Sequence, residues 1–110
     1  MSIIDMNTFN SLKENAGTEF VSELIDTFFE DTLYLMEQMR AALAAKDSES
    51  FRRAAHSLKS NAATFGATEL STLARELEGM GRENNLEIGN RLEGLEEAFQ
   101  KAKSQLIELR

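Results

Sequence analysis

The stretch FRRAAHSLKSNAATFGATEL, residues 51–70, contains both the buried face of a helix and the point where that helix ends. At about 100° per residue, five apolar side chains fall within about 40° of one direction. They are Phe51, Ala55, Leu58, Ala62 and Phe65. Gly66 then interrupts the helix, and Thr68 followed by Glu69 is typical of a new helix start. Two amphipathic helices joined by so short a turn predict a helical bundle.

The composition of the whole chain favours an all-α fold and excludes several classes of protein. Its 110 residues, predicted as one domain over 1–110, contain no proline, no cysteine and six glycines, so the turn residues of a β-sandwich are scarce. Without cysteine there is no thiol nucleophile and no thiolate metal site. The 12 basic and 19 acidic residues give a net charge of -7, which argues against a nucleic-acid binder.

Nothing in the sequence predicts insertion into a membrane. No apolar run approaches the roughly 18–20 residues of a membrane span. The first residues, MSIIDMNTF, lack the basic and apolar segments of a signal peptide. We therefore expect a cytoplasmic protein, either free-standing or part of a longer chain. The excess of negative charge favours a monomer.

Helix start and stop signals predict two helices before residue 46. Asp5 caps a short lead helix, MNTFNSLKENA, which Gly17 ends, and a long second helix spans residues 18–45. The apolar row of the second helix comprises Val21, Ile25, Phe28, Leu35, Met39 and Leu43, with the polar Thr32 in the same row.

Three helices follow the break at residues 46–48. Asp47 or Ser48 caps the third, and the fourth begins at Thr68. The apolar stripe of the fourth helix comprises Leu70, Leu73, Leu77 and Met80. Asn85 is the predicted cap of the last. Because the joints are short, neighbouring helices should run antiparallel. The predicted fold is an all-α, up-down-up-down antiparallel four-helix bundle with a short N-terminal lead helix.

His56 is the only histidine in the chain, and it lies about 140° from the centre of the buried stripe of its helix. Its ring should therefore meet water. Four residues share its face of the helix, one at four positions before it and the others at three, four and seven positions after it. These are Arg52, Lys59, Ser60 and Ala63. Small side chains beside an exposed ring allow the backbone of another protein to come close.

An exposed neutral imidazole is a competent nucleophile. Cations around His56 disfavour its protonated form and suit an incoming anion such as a phosphoryl group, whose oxygens Lys59 can reach. The chain has no glycine-rich phosphate loop and no second histidine for a zinc site. Acidic residues on the other helices are expected to lie on solvated faces. They are Glu30, Asp31, Glu76, Glu78, Glu96 and Glu97.

Residues 55–67, AHSLKSNAATFGA, resemble the signature of histidine-containing phosphotransfer domains, the HPt domains of multistep phosphorelays. The family pattern is a histidine, then a hydrophobic residue, a lysine, a small residue and a glycine at two, three, four and ten positions later. Here these residues are His56, Leu58, Lys59, Ser60 and Gly66. Glycine is frequent in the family where this chain has Ser60. An exposed histidine on a four-helix bundle agrees with the resemblance.

The resemblance implies a phosphoryl carrier without kinase activity of its own. His56 would accept a phosphoryl group at Nε2 from the phospho-aspartate of a response-regulator receiver domain, and pass it to another receiver. The receiver of a hybrid sensor histidine kinase is one candidate partner. Lys59 would steady the phosphoryl group, Ser60 would keep the surface open, and Gly66 would allow tight local packing. No cofactor is expected on this chain, whereas magnesium is expected on the receiver.

The predicted docking surface comprises Arg52, Arg53, Ser60, Ala63 and Gly66. Met36 on the second helix is a further candidate, whereas Met39 fits the core row better. The alternative function is a phosphorylation-independent helical adaptor that binds a partner through the same face, with His56 incidental. A metal- or cofactor-binding bundle is disfavoured, because one outward histidine does not supply the inward clusters of Glu and His that such sites use.

Overall fold

The structure, a computed structural model, describes residues 3–110 and contains five helices in this range. They are α1 (Met6–Ala16), α2 (Thr18–Ala45), α3 (Ser48–Thr64), α4 (Thr68–Arg82) and α5 (Arg91–Leu109). Apart from an isolated β-bridge between Ile4 and Ala67, residues 3–110 form no strand. None of the five helices is both long and apolar enough to cross a membrane. The prediction of an all-α fold is confirmed.

The first joints form where the sequence predicts them. The Asp5 carboxylate accepts a hydrogen bond from the Asn7 N–H at 3.1 Å and caps α1. Gly17, with φ 94°, separates α1 from α2, and Lys46, with φ 57°, ends α2 in the left-handed conformation. Asp47 is the cap of α3, because its carboxylate accepts from the Ser50 N–H at 3.1 Å.

Contacts between helix ends give the direction of each helix. The Ser48 hydroxyl, at the start of α3, donates to the Asn84 side chain just beyond the end of α4. Arg110, at the end of α5, binds Asp26 near the start of α2. Neighbouring helices therefore run antiparallel, as the up-down-up-down bundle requires. The lead helix α1 packs against α2 and α3.

The core lies between the four long helices and contains all five predicted apolar residues of the α3 face. Phe28 stacks on Phe65 with ring centroids 4.6 Å apart, and both Phe28 and Phe29 contact Phe99 edge-on. Phe29 is a core residue that the predicted row omits. Met36 is wrong as a docking candidate: only 2% of it is exposed, because the α5 side of α2 is packed as well.

The prediction that Asn85 caps the last helix is wrong. The Asn85 side chain accepts from the Glu87 N–H and stabilises a turn, but α5 begins only at Arg91. Asn84 and Gly89 both have φ near 60°, and an α-helix does not continue through residues in the left-handed region. Ile88, which a helix capped by Asn85 would include, is instead buried from within this loop.

Thr32 lies in the apolar row of α2, fully buried, and its hydroxyl has no hydrogen-bond partner among residues 3–110. A buried hydroxyl without a partner costs free energy. We expect Thr32→Val, which keeps the shape, to raise the free energy of unfolding by about 1 kcal/mol in urea denaturation. Thr27→Val, at an exposed position of α2, is the control and should change little. A less stable Thr32→Val protein would mean that the hydroxyl has a partner.

Candidate functional site

His56 lies on the outer face of α3, and 55% of its side chain is exposed. Its neighbours Ala55 and Leu58 point into the core and are fully buried. The orientation predicted from the helical repeat is therefore confirmed. The ring is held by α3 itself, a rigid element, and not by a loop.

The ring of His56 contacts a carboxylate from the next helix. Nδ1 of His56 lies 2.7 Å from Oε2 of Glu78 on α4, and the other oxygen, Oε1, lies 2.7 Å from the Lys59 ammonium. A third cation, Arg82, reaches Oε2 at 3.3 Å. Glu78 thus joins His56 and Lys59 in one cluster. The sequence placed these two residues on one face, but gave no link between them.

The prediction that Glu78 lies on a solvated face is wrong, since only 3% of the residue is exposed. The reason is the close packing of α4 against α3, because the neighbours of Glu78 along this face of α4 are small. Ala74 is fully buried, and the Ser71 hydroxyl donates to the Lys59 carbonyl at 3.1 Å. Glu78 shares this row at helical spacing. A glutamate in a row of small residues beside the apolar stripe was the signal available in the sequence.

The charges around Glu78 favour its ionised form. The hydrogen bond from the Lys59 ammonium, followed by that from the His56 ring, lowers the pKa of Glu78 below its ordinary value of 4.5, although burial acts in the opposite direction. Glu78 is therefore a carboxylate at neutral pH. Besides the cations predicted around His56, its ring therefore contacts an anion, which the sequence did not predict.

The contact with Glu78 fixes where the proton of the imidazole lies. A carboxylate can only accept hydrogen bonds, so Nδ1 of His56 must carry the proton and donate it. In the neutral ring, the lone pair is then on Nε2. Nε2 has no hydrogen-bond partner among residues 3–110. The neutral ring therefore presents its unprotonated nitrogen at an exposed surface.

The arginines before His56 are paired with one acidic residue of their own helix. Glu49 binds both Arg52 and Arg53, the latter at 3.2 Å from Nε. The hydrogen bond from Arg52 is the largest cause that lowers the pKa of Glu49. Arg52 is half-buried, whereas 72% of the Arg53 side chain is exposed. Of the two, Arg53 is better placed to meet another protein.

Ser60 and Ala63 are exposed on the face of His56, as predicted. Gly66 is not part of this surface, because it is buried where the α3–α4 turn meets the N-terminal segment. Its carbonyl accepts from the Asp5 N–H at 2.8 Å, and with φ 78° a Cβ would lie only 2.7 Å from the Asp5 carbonyl oxygen. Gly66 is thus wrong as a docking residue, and it allows the tight local packing that the resemblance implies.

The surroundings of His56 include an open groove and no metal centre in the described part of the chain. The groove, about 520 Å³ in volume, runs between α2 and α3 and has Ser57 and Arg53 at its edge. Part of its lining is made of small residues, namely Ala41, Ala42, Ala45 and Ala54. Within residues 3–110, no three His, Cys, Asp or Glu side chains are grouped to hold a metal ion.

Comparison with known protein families gives one match that covers most of the chain. The family model described as the Hpt domain matches residues 23–108, a range that includes His56 and Glu78. This chain belongs to the Hpt domain family. Hpt domains are phosphocarriers and not kinases, so the chain has a phosphotransfer role in two-component signalling.

Two individual proteins are similar to this Hpt domain. The sensor protein TorS of Escherichia coli K12 is 35% identical over 75 residues, which are 68% of this chain but only 8% of TorS. The crystal structure of histidine-containing phosphotransfer protein B of Pseudomonas aeruginosa PAO1 superimposes with a TM-score of 0.87 at 28% identity. That match covers 96% of this chain and 92% of the other.

Proposed function

We propose that His56 is the phosphoryl acceptor of a phosphorelay, receiving the group from the phospho-aspartate of one receiver domain and donating it to another. The observation that carries this proposal is the exposed ring of His56, held through Nδ1 by the buried Glu78. That contact leaves Nε2 as the nucleophilic atom. The direction of transfer, from one receiver to another, is part of the proposal.

The transfer step needs only groups that the two proteins supply. The lone pair of Nε2 attacks phosphorus, the N–P bond forms, and the P–O bond to the receiver's aspartate breaks, so that the aspartate leaves as a carboxylate. The ring becomes positively charged while it keeps its proton on Nδ1. Glu78, which accepts that proton's hydrogen bond, stabilises the charge where it develops. The return step to a second receiver is the same sequence in reverse.

Lys59 is proposed to bind the oxygens of the transferred phosphoryl group. Its ammonium already lies beside Glu78 and is only partly exposed, with 28% of the side chain accessible. An ammonium on a flexible chain can exchange one carboxylate oxygen for a phosphoryl oxygen. Arg82, with 65% of its side chain exposed, is a further cation at the edge of the site. Together they would offset part of the negative charge of the incoming group.

Docking is proposed to use Arg53, Ser60 and Ala63, with Arg52 packed behind them and the α2–α3 groove beside them. Magnesium is expected on the receiver and not on this chain. The cytoplasmic location and the monomeric state remain predictions.

The proposal is tested by incubating the chain with a panel of phosphorylated receiver domains and magnesium. We expect one or more receivers to transfer label to the chain, in a form that is labile in acid and stable in alkali. Label should then move to a second, unphosphorylated receiver when it is added. If the folded chain takes no label from any member of a broad panel, a carrier role is contradicted.

Lys59→Ala is expected to slow transfer about tenfold, since one charge-assisted contact to the phosphoryl group is lost. The fold should persist, because Glu78 keeps His56 and Arg82 as partners. Rapid-quench measurement of transfer from one receiver gives the rate. Lys101→Ala, an exposed lysine on α5, is the matched control and should transfer at the parent rate. Equal rates for Lys59→Ala and the parent would remove Lys59 from the mechanism.

A further inference from the structure

Helices α3 and α4 approach closely at Gly81. A Cβ atom built on Gly81 would lie 3.1 Å from Cβ of Arg52 and 3.2 Å from its Cα and backbone nitrogen. Carbon atoms in van der Waals contact prefer about 3.5–4.0 Å. Two of the three atoms belong to the backbone of α3, so a side chain at Gly81 could be accommodated only if the helices moved apart.

Gly81 lies on the same face of α4 as Glu78, three residues away, and their contacts on α3 are also neighbours. Gly81 faces Arg52, and Glu78 faces His56, one turn further along α3. Because the two helices are antiparallel, the separation at Gly81 also determines how far Glu78 must reach. The tight contact between Gly81 and Arg52 is therefore one helical turn from the contact between Glu78 and His56, which orients the imidazole.

We propose that Gly81 is a positioning residue, which sets the separation of α3 and α4 at which one carboxylate contacts both His56 and Lys59. The inference rests on the proposed function and extends it to a residue that touches neither the ring nor the phosphoryl group. Both contacts of Glu78 measure 2.7 Å. A shift of about half an ångström would take them beyond the optimal range for a charge-assisted hydrogen bond.

Gly79 provides a control on the same helix. No atom lies within 4 Å of the position that its Cβ would occupy. Gly79→Ala should therefore gain helix propensity without a new contact, and raise the Tm by about 3–5 °C. Its transfer rate should stay within about twofold of the parent rate, because α4 keeps its position. This variant therefore shows how much of any change is due to helix propensity alone.

The test compares Gly81→Ala with Gly79→Ala in two measurements. Nitrogen-15 NMR of the His56 ring reports which ring nitrogen carries the proton, and rapid-quench transfer from one receiver gives the rate. We expect Gly81→Ala to populate less of the form with the proton on Nδ1, and to transfer about tenfold more slowly. Transfer at the Gly79→Ala rate, with the ring spectrum of the parent, would overturn the proposal.

A second variant keeps the test decisive if Gly81→Ala does not fold. Glu78→Asp shortens the acid by one methylene and leaves the α3–α4 contact intact. If the distance from the carboxylate to His56 and Lys59 matters, Glu78→Asp should show the same change in the ring spectrum and the same slower transfer as expected for Gly81→Ala. A parent ring spectrum and a parent transfer rate would overturn the proposal. The ring spectrum needs no receiver, so it tests the positioning role even when the parent chain accepts no phosphoryl group. That last outcome would contradict the proposed function alone.

Discussion

A His56→Gln variant is expected to remain folded and to accept no acid-labile phosphoryl group from any receiver that labels the parent. Glutamine is close in size to histidine, and the position is exposed, so the core is not disturbed. Glutamine has no nucleophilic nitrogen, and the chain has no other histidine. The rate of transfer should fall at least about a thousandfold, as when any essential nucleophile is removed.

The control for this variant separates histidine from lysine as the site of labelling, because both side chains can form an N–P bond that is labile in acid. Lys59→Ala should keep the label, although it acquires it more slowly, whereas His56→Gln should lose it. Far-ultraviolet circular dichroism and the Tm show that each variant is folded. If His56→Gln still accepted the label, the phosphoryl acceptor would lie elsewhere. If the same variant bound its partner and signalled normally, the adaptor alternative would replace the carrier.

Glu78→Ala is expected to have the second-largest effect on transfer. It removes the acceptor for the Nδ1 proton and the anion that binds Lys59. A hydrogen bond to a charged group contributes about 1.5–3 kcal/mol, so the rate of transfer should fall about 10- to 100-fold. Glu78→Gln keeps an oxygen near Nδ1 but loses the charge. Its transfer rate should therefore lie between those of the parent and Glu78→Ala.

Stability against pH gives an independent test of Glu78. The pKa of this carboxyl is lowered in the folded protein, chiefly by the hydrogen bond from Lys59, so ionisation stabilises the fold. That stabilisation is fully present above the ordinary pKa of 4.5 and is lost as the pH falls through the lower, folded value. At pH 7 we expect the free energy of unfolding of the parent, measured by urea denaturation, to exceed that of Glu78→Gln by about 1–2 kcal/mol. The difference should shrink below pH 4.5.

Glu76→Gln is the matched control for Glu78, on the same helix two residues earlier. Glu76 forms a surface ion pair with Arg91 at 2.7 Å, and such pairs contribute little to stability. The Glu76→Gln variant should transfer the phosphoryl group at the parent rate, and its stability should depend on pH as that of the parent does. Transfer by Glu78→Ala at the rate of Glu76→Gln would mean that the buried carboxylate does not assist the histidine.

Much of the fold follows from local signals in the sequence. Asp5 and Asp47 accept hydrogen bonds from backbone N–H groups at the starts of their helices, and Gly17 adopts the positive φ that ends the first one. The apolar stripe around Phe51 is buried as a helical repeat requires. These features depend on residues within one turn of each other, which is why the sequence alone is sufficient to predict them.

What the sequence did not predict depends on contacts between helices. The direction of His56 could be counted along α3, but its contact with Glu78 joins residues 22 positions apart on two helices. The burial of Met36 likewise depends on how α5 packs against α2. The late start of α5 is a local error of another kind: Asn85 has the side chain of a cap, and the left-handed residues on either side of it prevented a helix.

The proposed mechanism requires that Nε2 of His56 carries the phosphoryl group while Nδ1 keeps its proton and donates a hydrogen bond to Glu78. The most direct measurement is NMR of the phosphorylated chain with nitrogen-15 histidine, in which coupling to phosphorus identifies the bonded nitrogen. In the parent chain, we predict that Nε2 shows the coupling to phosphorus and that Nδ1 is protonated. Coupling at Nδ1, or a phosphorylated chain whose histidine shows no coupling to phosphorus, would contradict it.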